Sequence, residues 1–345
     1  MQYSGNTFHY DLITDEDNKD EYNFIRGKWL EKRTAESLKP IFGSDNVILN
    51  SEYPNKEELS DVLVLYDRKI FIIQCKSKAL RYESKIGEDY EVLKSDIRKG
   101  IKESFDQALK ARRYLLETEH PKLIHNNMRL TVDTNQVTDV FLISITLGYY
   151  QSIVTKLANF NTELNMFQEN DFPWAVSLAD FETIAEIITD PSEFIHYTKQ
   201  RIKIERTNFH LSADEIDLLN YYLSQGLNLQ SGDLEEYSGV MLTGFSSQVE
   251  EYFHNKYFLG KKVVKPKRAL AEGFREYLDE IELLNTSYKS DCIDRLLLLN
   301  KESQKAFVNM VDQTRKGILK AKKIKAMNMG FFTIRLWGYV FTHGF

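Results

Sequence analysis

Two apolar runs with a short polar break between them lie in the first quarter of the chain, at residues 60–66 and 70–76. Runs rich in β-branched and aromatic residues are typical of strands, and a polar break of this length is typical of a tight connection. The pattern predicts a β-hairpin. Because side chains alternate across a strand, Gln74 and Lys76 are expected to project from the same face.

The first of these strands begins with an acidic residue. Folding the hairpin about its turn brings Asp61 level with the stretch from Gln74 to Lys76. Side-chain parity then requires a loop with an even number of residues, or a bulge, for these three side chains to converge. The sequence permits this convergence without proving it.

Other apolar patterns place helices and strands around the hairpin. Residues 24–39 carry apolar positions at helical spacing, with Glu31 beside Leu30 and Ala35. Together with the further segments, the predicted order is α-β-β-β-α-β, a mixed central sheet flanked by helices. The further segments are a strand near 47–50, a long helix over 92–118, strands at 128–132 and 137–145, and a candidate strand at 174–178.

The rest of the chain is predicted to be mainly helical. Helices are expected to begin near Ser177, Asp190 and Ser212, where an acid, a proline or a capping-box spacing precedes an apolar run. We therefore predict one domain over 1–150, or to about 180, and a second over 180–345 that serves assembly, recognition or regulation. Later helices are expected at 246–258, 267–285, 290–299 and 303–325.

The polar residues of the hairpin have the chemistry of a phosphodiesterase site. A carboxylate and an amide oxygen suit a hard cation such as Mg²⁺, which takes few protein ligands. A lysine ammonium can steer an attacking water or stabilise charge that develops at phosphorus. Asp61, Gln74 and Lys76 supply these groups, and Glu31 is a candidate fourth polar group.

A helix with Glu, a strand with Asp and a strand with Gln-x-Lys together resemble the PD-(D/E)XK nuclease superfamily. Within it, the chain is similar to the Gln-x-Lys variants of Mrr-type restriction endonucleases and nuclease-related domains. The likeness covers about the first third to half of the chain. It implies a restriction-endonuclease-like core in which Glu31 is the helical acid, Asp61 and Gln74 are metal ligands with Glu31, and Lys76 is the catalytic lysine. Gln107 resembles the glutamine of the following helix.

This resemblance implies a Mg²⁺-dependent nuclease, with Mn²⁺ as a substitute ion. The implied enzyme is a deoxyribonuclease, most closely an endonuclease of bacterial restriction or anti-phage defence. Many members have Glu where this chain has Gln74, so the site has one negative charge fewer and should bind cations less strongly. The alternative is a catalytically weak nuclease-like fold that acts as a nucleic-acid-binding or protein-assembly subunit. Glu36 remains an alternative to Glu31 as the helical acid.

The positions of the basic residues say more about the substrate than the net charge of the chain does. The net charge of −6 argues against a protein that coats nucleic acid by bulk electrostatics, although basic runs occur at 261–268 and 315–325. Within the second run Lys316, Lys320 and Lys323 share one face of a predicted helix, and a solvated face explains them equally well. Basic residues closer to the hairpin are better candidates for substrate contact: Lys78, Lys110, Arg112 and Arg113.

Composition restricts the remaining classes of function. With 42% hydrophobic and 28% charged residues, the 345-residue chain is typical of a globular protein. Two cysteines and seven scattered histidines provide neither a disulfide framework nor a zinc motif. No apolar run is long enough to span a membrane and no leader-like segment is seen, so we expect a cytoplasmic protein. The resemblance implies that its partner is nucleic acid, DNA rather than RNA. The helical part and the aromatic tail are expected to form a homo-oligomer or bind a partner protein.

Overall fold

A computed structural model gives the three-dimensional structure of the chain. Contacts divide it into two compact units. The first comprises the chain up to Ala269 together with Asp279–Leu298, and the second comprises Leu270–Leu278 and the chain from Leu299 onward. The structure describes residues 16–78, 81, 89–150, 153–168, 171–207, 209–228, 239–242, 244, 247–320, 332–336 and 339–343.

The first unit is built on a seven-stranded mixed sheet in the order β5-β4-β1-β2-β3-β6-β7. Strands β1, β2 and β3 pair antiparallel, whereas β6 and β7 continue the sheet parallel to β3. The predicted mixed central sheet is therefore confirmed, including its last strand. The strands are β1 (Val47–Glu52), β2 (Glu58–Tyr66), β3 (Lys69–Lys76), β4 (Lys122–His125), β5 (Met128–Thr131), β6 (Asp139–Thr146) and β7 (Trp174–Ser177).

Helices surround this sheet and dominate the later part of the described chain. The helix predicted over 92–118 is present, but a π-helical turn at Arg98–Lys102 divides it into α2 and α3. The α-helices are α1 (Glu16–Phe42), α2 (Tyr90–Ile97), α3 (Glu103–Glu117), α4 (Asn161–Leu164), α5 (Leu178–Ile187), α6 (Pro191–Ile204), α7 (Glu215–Gln225), α8 (Ser247–Phe253), α9 (Phe274–Glu282), α10 (Lys289–Leu297) and α11 (Lys301–Lys320). Two small two-stranded sheets pair β8 (His210–Ala213) with β9 (Gly239–Leu242) and β10 (Phe332–Leu336) with β11 (Tyr339–His343).

The predicted hairpin joins β2 and β3 through a two-residue loop. Asp67 and Arg68 both have positive φ angles, 42° and 64°, as a type I′ turn requires. Glycine or asparagine usually fills such positions, so contacts with α10 support the turn here. The Asp67 Oδ2 accepts a hydrogen bond from the Ser290 backbone at 2.7 Å, and Arg68 lies 3.2 Å from Asp291. The loop therefore has an even number of residues. This satisfies the first of the two alternative conditions under which Asp61, Gln74 and Lys76 can converge.

Alternating apolar residues of the sheet feed two hydrophobic clusters, one on each face. Val62, Phe71 and Ile73 pack in the cluster that includes residues of α1, α5 and α6. Ile70 and Ile72 pack in the cluster that includes residues of α3. The predicted alternation along β3 is confirmed, and the sheet is buried on both sides.

Helix caps explain where several later helices begin. The Ser177 and Asp190 side chains accept hydrogen bonds from the backbone N–H groups of Asp180 and Glu193, as the sequence predicts. The predicted start at Ser212 is wrong. Residues 210–213 pair as strand β8, and the N-cap of α7 is Asp214, two residues later.

The first unit includes residues on both sides of the predicted boundary between 150 and 180. Strand β7 completes the sheet and α6 packs into its core, so both belong with the elements that precede them. Among the described residues, no helix combines the length and apolarity that crossing a bilayer requires.

Candidate functional site

The candidate site lies where β2 begins and β3 ends. Val62 pairs with Ile73, and Asp61 comes immediately before this pair. The Asp61 side chain is only 3% exposed, and its Oδ2 accepts a hydrogen bond from the Cys75 backbone N–H at 2.7 Å. The carboxylate is therefore held against the end of β3, an approach that the sequence permits.

Gln74 is almost completely buried beside this carboxylate-bearing strand end. Its Nε2 donates to the Leu59 carbonyl at 3.1 Å, and since a carbonyl only accepts, the amide nitrogen must face it. The Oε1 atom is buried and has no hydrogen-bond partner. A buried acceptor without a hydrogen bond costs about 1–3 kcal/mol. The fold bears this cost at the Gln74 Oε1 atom, which leaves that oxygen able to bind a ligand such as a cation.

Lys76, on the same strand, reaches helix α3. Its Nζ donates to the Gln107 Oε1 at 2.7 Å. One turn earlier on α3, the Ser104 hydroxyl donates to Ser144 Oγ on β6 at 2.8 Å and keeps the helix against the sheet. The structure thus brings together Lys76 and Gln107, two residues that the sequence relates only through the resemblance.

Helix α1 brings Glu31 to this end of the sheet from the opposite face. The Thr34 hydroxyl lies 3.6 Å from the Cys75 Sγ, which places α1 over the end of β3. Glu31, about one turn earlier, is 7% exposed and interacts electrostatically with Asp61. The alternative acid, Glu36, has a side chain 42% exposed and lies 3.8 Å from Lys32. Glu31, and not Glu36, therefore lies close to Asp61.

Several acidic side chains lie close together in a poorly solvated part of the site. Burial raises the pKa of Asp61 well above its ordinary value, and a hydrogen bond and charge repulsion from Glu58 and the charge of Glu31 add to the rise. The Cys75 N–H opposes this rise. Burial likewise raises the pKa of Glu31, although the Lys28 Nζ at 2.7 Å partly compensates.

Sequence reasoning missed Glu58 and Lys28. Glu58 is the second acid of a Glu-Glu pair directly before an apolar strand, and Lys28 precedes Glu31 by three residues on one helix face. Burial alone would lower the pKa of Lys28, but the hydrogen bond and charge of Glu31 raise it. Both signals are present in the sequence, yet they are common on solvated surfaces.

The donor atoms fit a hard divalent cation. An aspartate carboxylate and an unpartnered buried amide oxygen, from Asp61 and Gln74, match the oxygen ligands that Mg²⁺ prefers, with Glu31 as a second acid nearby. In the described part of the chain, no group of three or more His, Cys, Asp or Glu side chains is arranged to hold a metal ion. A cation at this place would therefore have few protein ligands.

The basic candidates near the site are mostly paired with acids. Lys78 lies 3.9 Å from Asp96. Lys110 lies 2.9 Å from Glu57 and Arg112 lies 3.5 Å from Asp171, while Arg113 is exposed on α3. Lys316 is exposed on α11, in the second unit. Helix α11 also contains the backbone of Lys320, whose side chain lies outside the described residues, as does all of Lys323.

A further acid that the sequence did not indicate lies at the same edge of the sheet. Residues Lys76, Thr146 and Ser177 are in register across β3, β6 and β7. The Ser177 hydroxyl donates to Asp180 Oδ2 at 2.8 Å. Burial raises the pKa of Asp180 to about 7, although the Ser177 hydrogen bond opposes the rise. This carboxyl therefore titrates near neutral pH, two strands away from Lys76.

Comparisons with known proteins found no relative of this chain. No protein family model, no curated protein and no solved structure matches the chain.

Proposed function

We propose that the protein is a metal-dependent nuclease that hydrolyses phosphodiester bonds, most specifically a DNA endonuclease. The observation that carries the proposal is the meeting of Asp61, Gln74 and Lys76 at adjoining strand ends, with Glu31 supplied by α1. Few structural needs explain a buried acid, an unpaired amide oxygen and a positioned lysine in one place, whereas phosphodiester hydrolysis uses all three.

Each residue has a role that its geometry supports. A bound Mg²⁺ would polarise the phosphate, and Asp61 with Gln74 Oε1 would hold it, supported by Glu31. Gln107 positions the Lys76 ammonium, which orients the attacking water and stabilises charge on a phosphate oxygen. The water oxygen forms a bond to phosphorus while the ester P–O bond breaks, leaving a phosphomonoester and a hydroxyl.

The biological setting follows from the resemblance alone. We propose a cytoplasmic restriction or anti-phage effector in which the mainly helical later part selects the target, forms a homo-oligomer or binds a partner protein. The exposed Lys316 on α11 is available for such a role. A restraint of this kind suits a nuclease, because uncontrolled cleavage would damage host DNA.

Cleavage assays with matched variants test the activity. The purified protein is incubated with supercoiled plasmid, linear duplex, single-stranded DNA and RNA, each with Mg²⁺, Mn²⁺ or EDTA. We expect cutting that needs the metal and falls about 10²–10⁴-fold in Lys76→Ala. Lys32→Ala, a change at a lysine 68% exposed on α1, should cut like the unchanged protein. Equal activity of the two variants would refute the proposed role of Lys76.

One observation favours the alternative of a catalytically weak nuclease-like subunit. Asp61 Oδ2 already accepts the Cys75 N–H, and burial favours the neutral carboxyl, which binds cations weakly. If this alternative holds, the unchanged protein binds nucleic acid or a partner protein but cuts none of the four substrates with either metal. Lys76→Ala then leaves that binding intact.

A further inference from the structure

An exposed surface in the first unit combines aromatic rings with lysines. We name it the basic-aromatic surface and define it by Tyr257, Phe258, Lys261, Lys262 and Lys267. Tyr257 is 63% exposed and Phe258 is 72% exposed. The three lysines are exposed as well. Large apolar side chains at this exposure cost hydration free energy, and their clustering is typical of an interaction surface.

A π-helical turn at His254–Phe258 holds the two rings in place. The Phe253 and Tyr257 rings stack at 5.7 Å with an angle of 20° between planes. The His254 and Phe258 rings stack at 5.1 Å with an angle of 21°. Each exposed ring therefore rests on a second ring and is ordered before any partner arrives, which lowers the entropy lost on binding.

The charge around these rings is positive. From Tyr252 to Arg268 the chain has six Lys or Arg residues and no Asp or Glu. The pKa of Lys265 is lowered by burial, and repulsion from Lys256 and Lys267 contributes. Nearby acids offset part of the charge, because Lys256 pairs with Glu186 at 2.6 Å and the exposed acids Glu250 and Glu251 precede the turn.

We propose that the basic-aromatic surface binds single-stranded nucleic acid. Lys261, Lys262 and Lys267 complement the phosphate charge, and the exposed face of Phe258 stacks with an unpaired base. The Tyr257 hydroxyl donates to Glu186 at 2.8 Å and the Lys256 Nζ lies 4.7 Å from the Tyr257 ring centroid, so this ring supports the surface rather than stacking with a base. A duplex buries its base faces in its own stack, so the Phe258 ring favours a single strand. This inference deepens the proposed function, because it names single-stranded nucleic acid as the form that the enzyme binds. The inference rests on the proposed function only for its biological meaning.

Oligonucleotide binding tests the surface without cleavage. Full-length protein carrying Lys76→Ala is titrated into a fluorescein-labelled thymidine 20-mer in EDTA, and anisotropy is measured at several salt concentrations. We expect Lys261→Glu with Lys262→Glu to weaken binding about tenfold or more, and to reduce the salt slope by about 1.4 because two phosphate contacts are lost. The matched control is Lys39→Glu with Lys122→Glu, the same charge change at exposed positions of α1 and β4.

A second pair of variants separates ring stacking from charge. Phe258→Leu keeps an apolar side chain but removes the ring, and should weaken binding about fivefold or more. Met128→Leu, an apolar change at a residue 60% exposed, should not. Thermal unfolding of every variant confirms that it is folded.

Several outcomes would overturn this inference. The first is an equal loss of affinity for the 20-mer in Lys261→Glu/Lys262→Glu and in its control. The second is tighter binding to a duplex of the same length. The third is binding to anionic phospholipid vesicles without binding to the 20-mer. Its failure is distinguishable from failure of the proposed function. Intact 20-mer binding by a protein that cuts nothing would reject the nuclease and keep the surface.

Discussion

Two buried charged clusters in the first unit are built on opposite principles. On α6, Arg201 is fully buried and its guanidinium donates to both carboxylate oxygens of Glu215 at 2.9–3.0 Å. Trp174 and Tyr197 donate to the same carboxylate at 3.1 and 3.2 Å. Here a buried positive charge meets a buried negative charge, and hydrogen bonds satisfy both oxygens.

At the end of β3 the arrangement is reversed. Asp61 lies near two other acids, Glu58 and Glu31, and Gln74 keeps an unpaired oxygen. Like charges and a free acceptor lower stability, whereas the Arg201–Glu215 pair supports the fold once it is assembled. Burial alone therefore does not identify a functional site, since both clusters are buried. What marks the β3 end is burial with incomplete internal compensation, which a ligand from solution would complete.

Breaking the paired cluster should have the largest effect. Glu215→Gln leaves the buried Arg201 guanidinium with only Glu205, 3.8 Å away, as a counter-charge, so we expect the free energy of unfolding to fall by about 3–5 kcal/mol, measured by urea denaturation. Glu182→Gln removes the acid of the more exposed Arg33–Glu182 pair and should cost at most about 1 kcal/mol. Equal losses would contradict the contrast.

Adding charge to the incompletely compensated cluster should come next. Gln74→Glu removes the donor to the Leu59 carbonyl and adds a buried negative charge, so the free energy of unfolding in EDTA should fall by about 1–3 kcal/mol. Mg²⁺ should restore part of this loss. Gln136→Glu, at an exposed glutamine, should change stability by about 0.5 kcal/mol or less. Loss in EDTA without recovery in Mg²⁺ would argue against a cation site.

The two acids of α1 give a sharper comparison of function. We expect Glu31→Gln to reduce plasmid cleavage about 10–100-fold, the range for residues that support a metal site. Glu36→Gln should leave cleavage unchanged, because its side chain faces solvent. Cleavage rates at several Mg²⁺ concentrations separate weaker metal binding from a slower reaction. A larger loss for Glu36→Gln would reverse our assignment.

The effect of pH on Asp61 should be smaller, but its sign is diagnostic. The raised pKa means that the folded protein keeps a proton that the unfolded chain releases. Stability from this group is therefore complete below its ordinary pKa and is lost as pH rises through the folded value. Asp61→Asn should make the protein more stable at pH 8 but not at pH 3.5, as measured by urea unfolding in EDTA. Destabilisation at pH 8 would show that the ionised carboxylate supports the fold.

Local patterns predicted much of the first unit. The hairpin, the strands on either side and the alternation along β3 follow from short runs of apolar residues, since side chains alternate with a period of two and a strand buried on both faces is apolar along most of its length. The error at Ser212 has a local cause as well. A capping box four residues long cannot show that residues 210–213 pair with β9, a strand far along the chain.

Site residues were predictable where a strand register carried them. Asp61, Gln74 and Lys76 lie on two strands that pair directly, so their approach depends on one turn. Glu31 was left open against Glu36, since a helix pattern alone does not say which acid faces a strand end. Glu58 and Asp180 were missed, because an acid beside an apolar run is common on solvated surfaces, and the burial of Asp61 and Asp180 depends on segments distant in the chain.

The mixed sheet, the hairpin and the residue types that suggest phosphodiester chemistry follow from the sequence, because they depend on side-chain periodicity and on neighbours a few positions away. That Glu31 lies near Asp61, that Lys76 meets Gln107 and that the Gln74 oxygen stays unpaired are known only from the folded chain. Charge, solvation and hydrogen bonding at a buried point are set by every element that packs there. Those elements are separated by tens of residues in the chain.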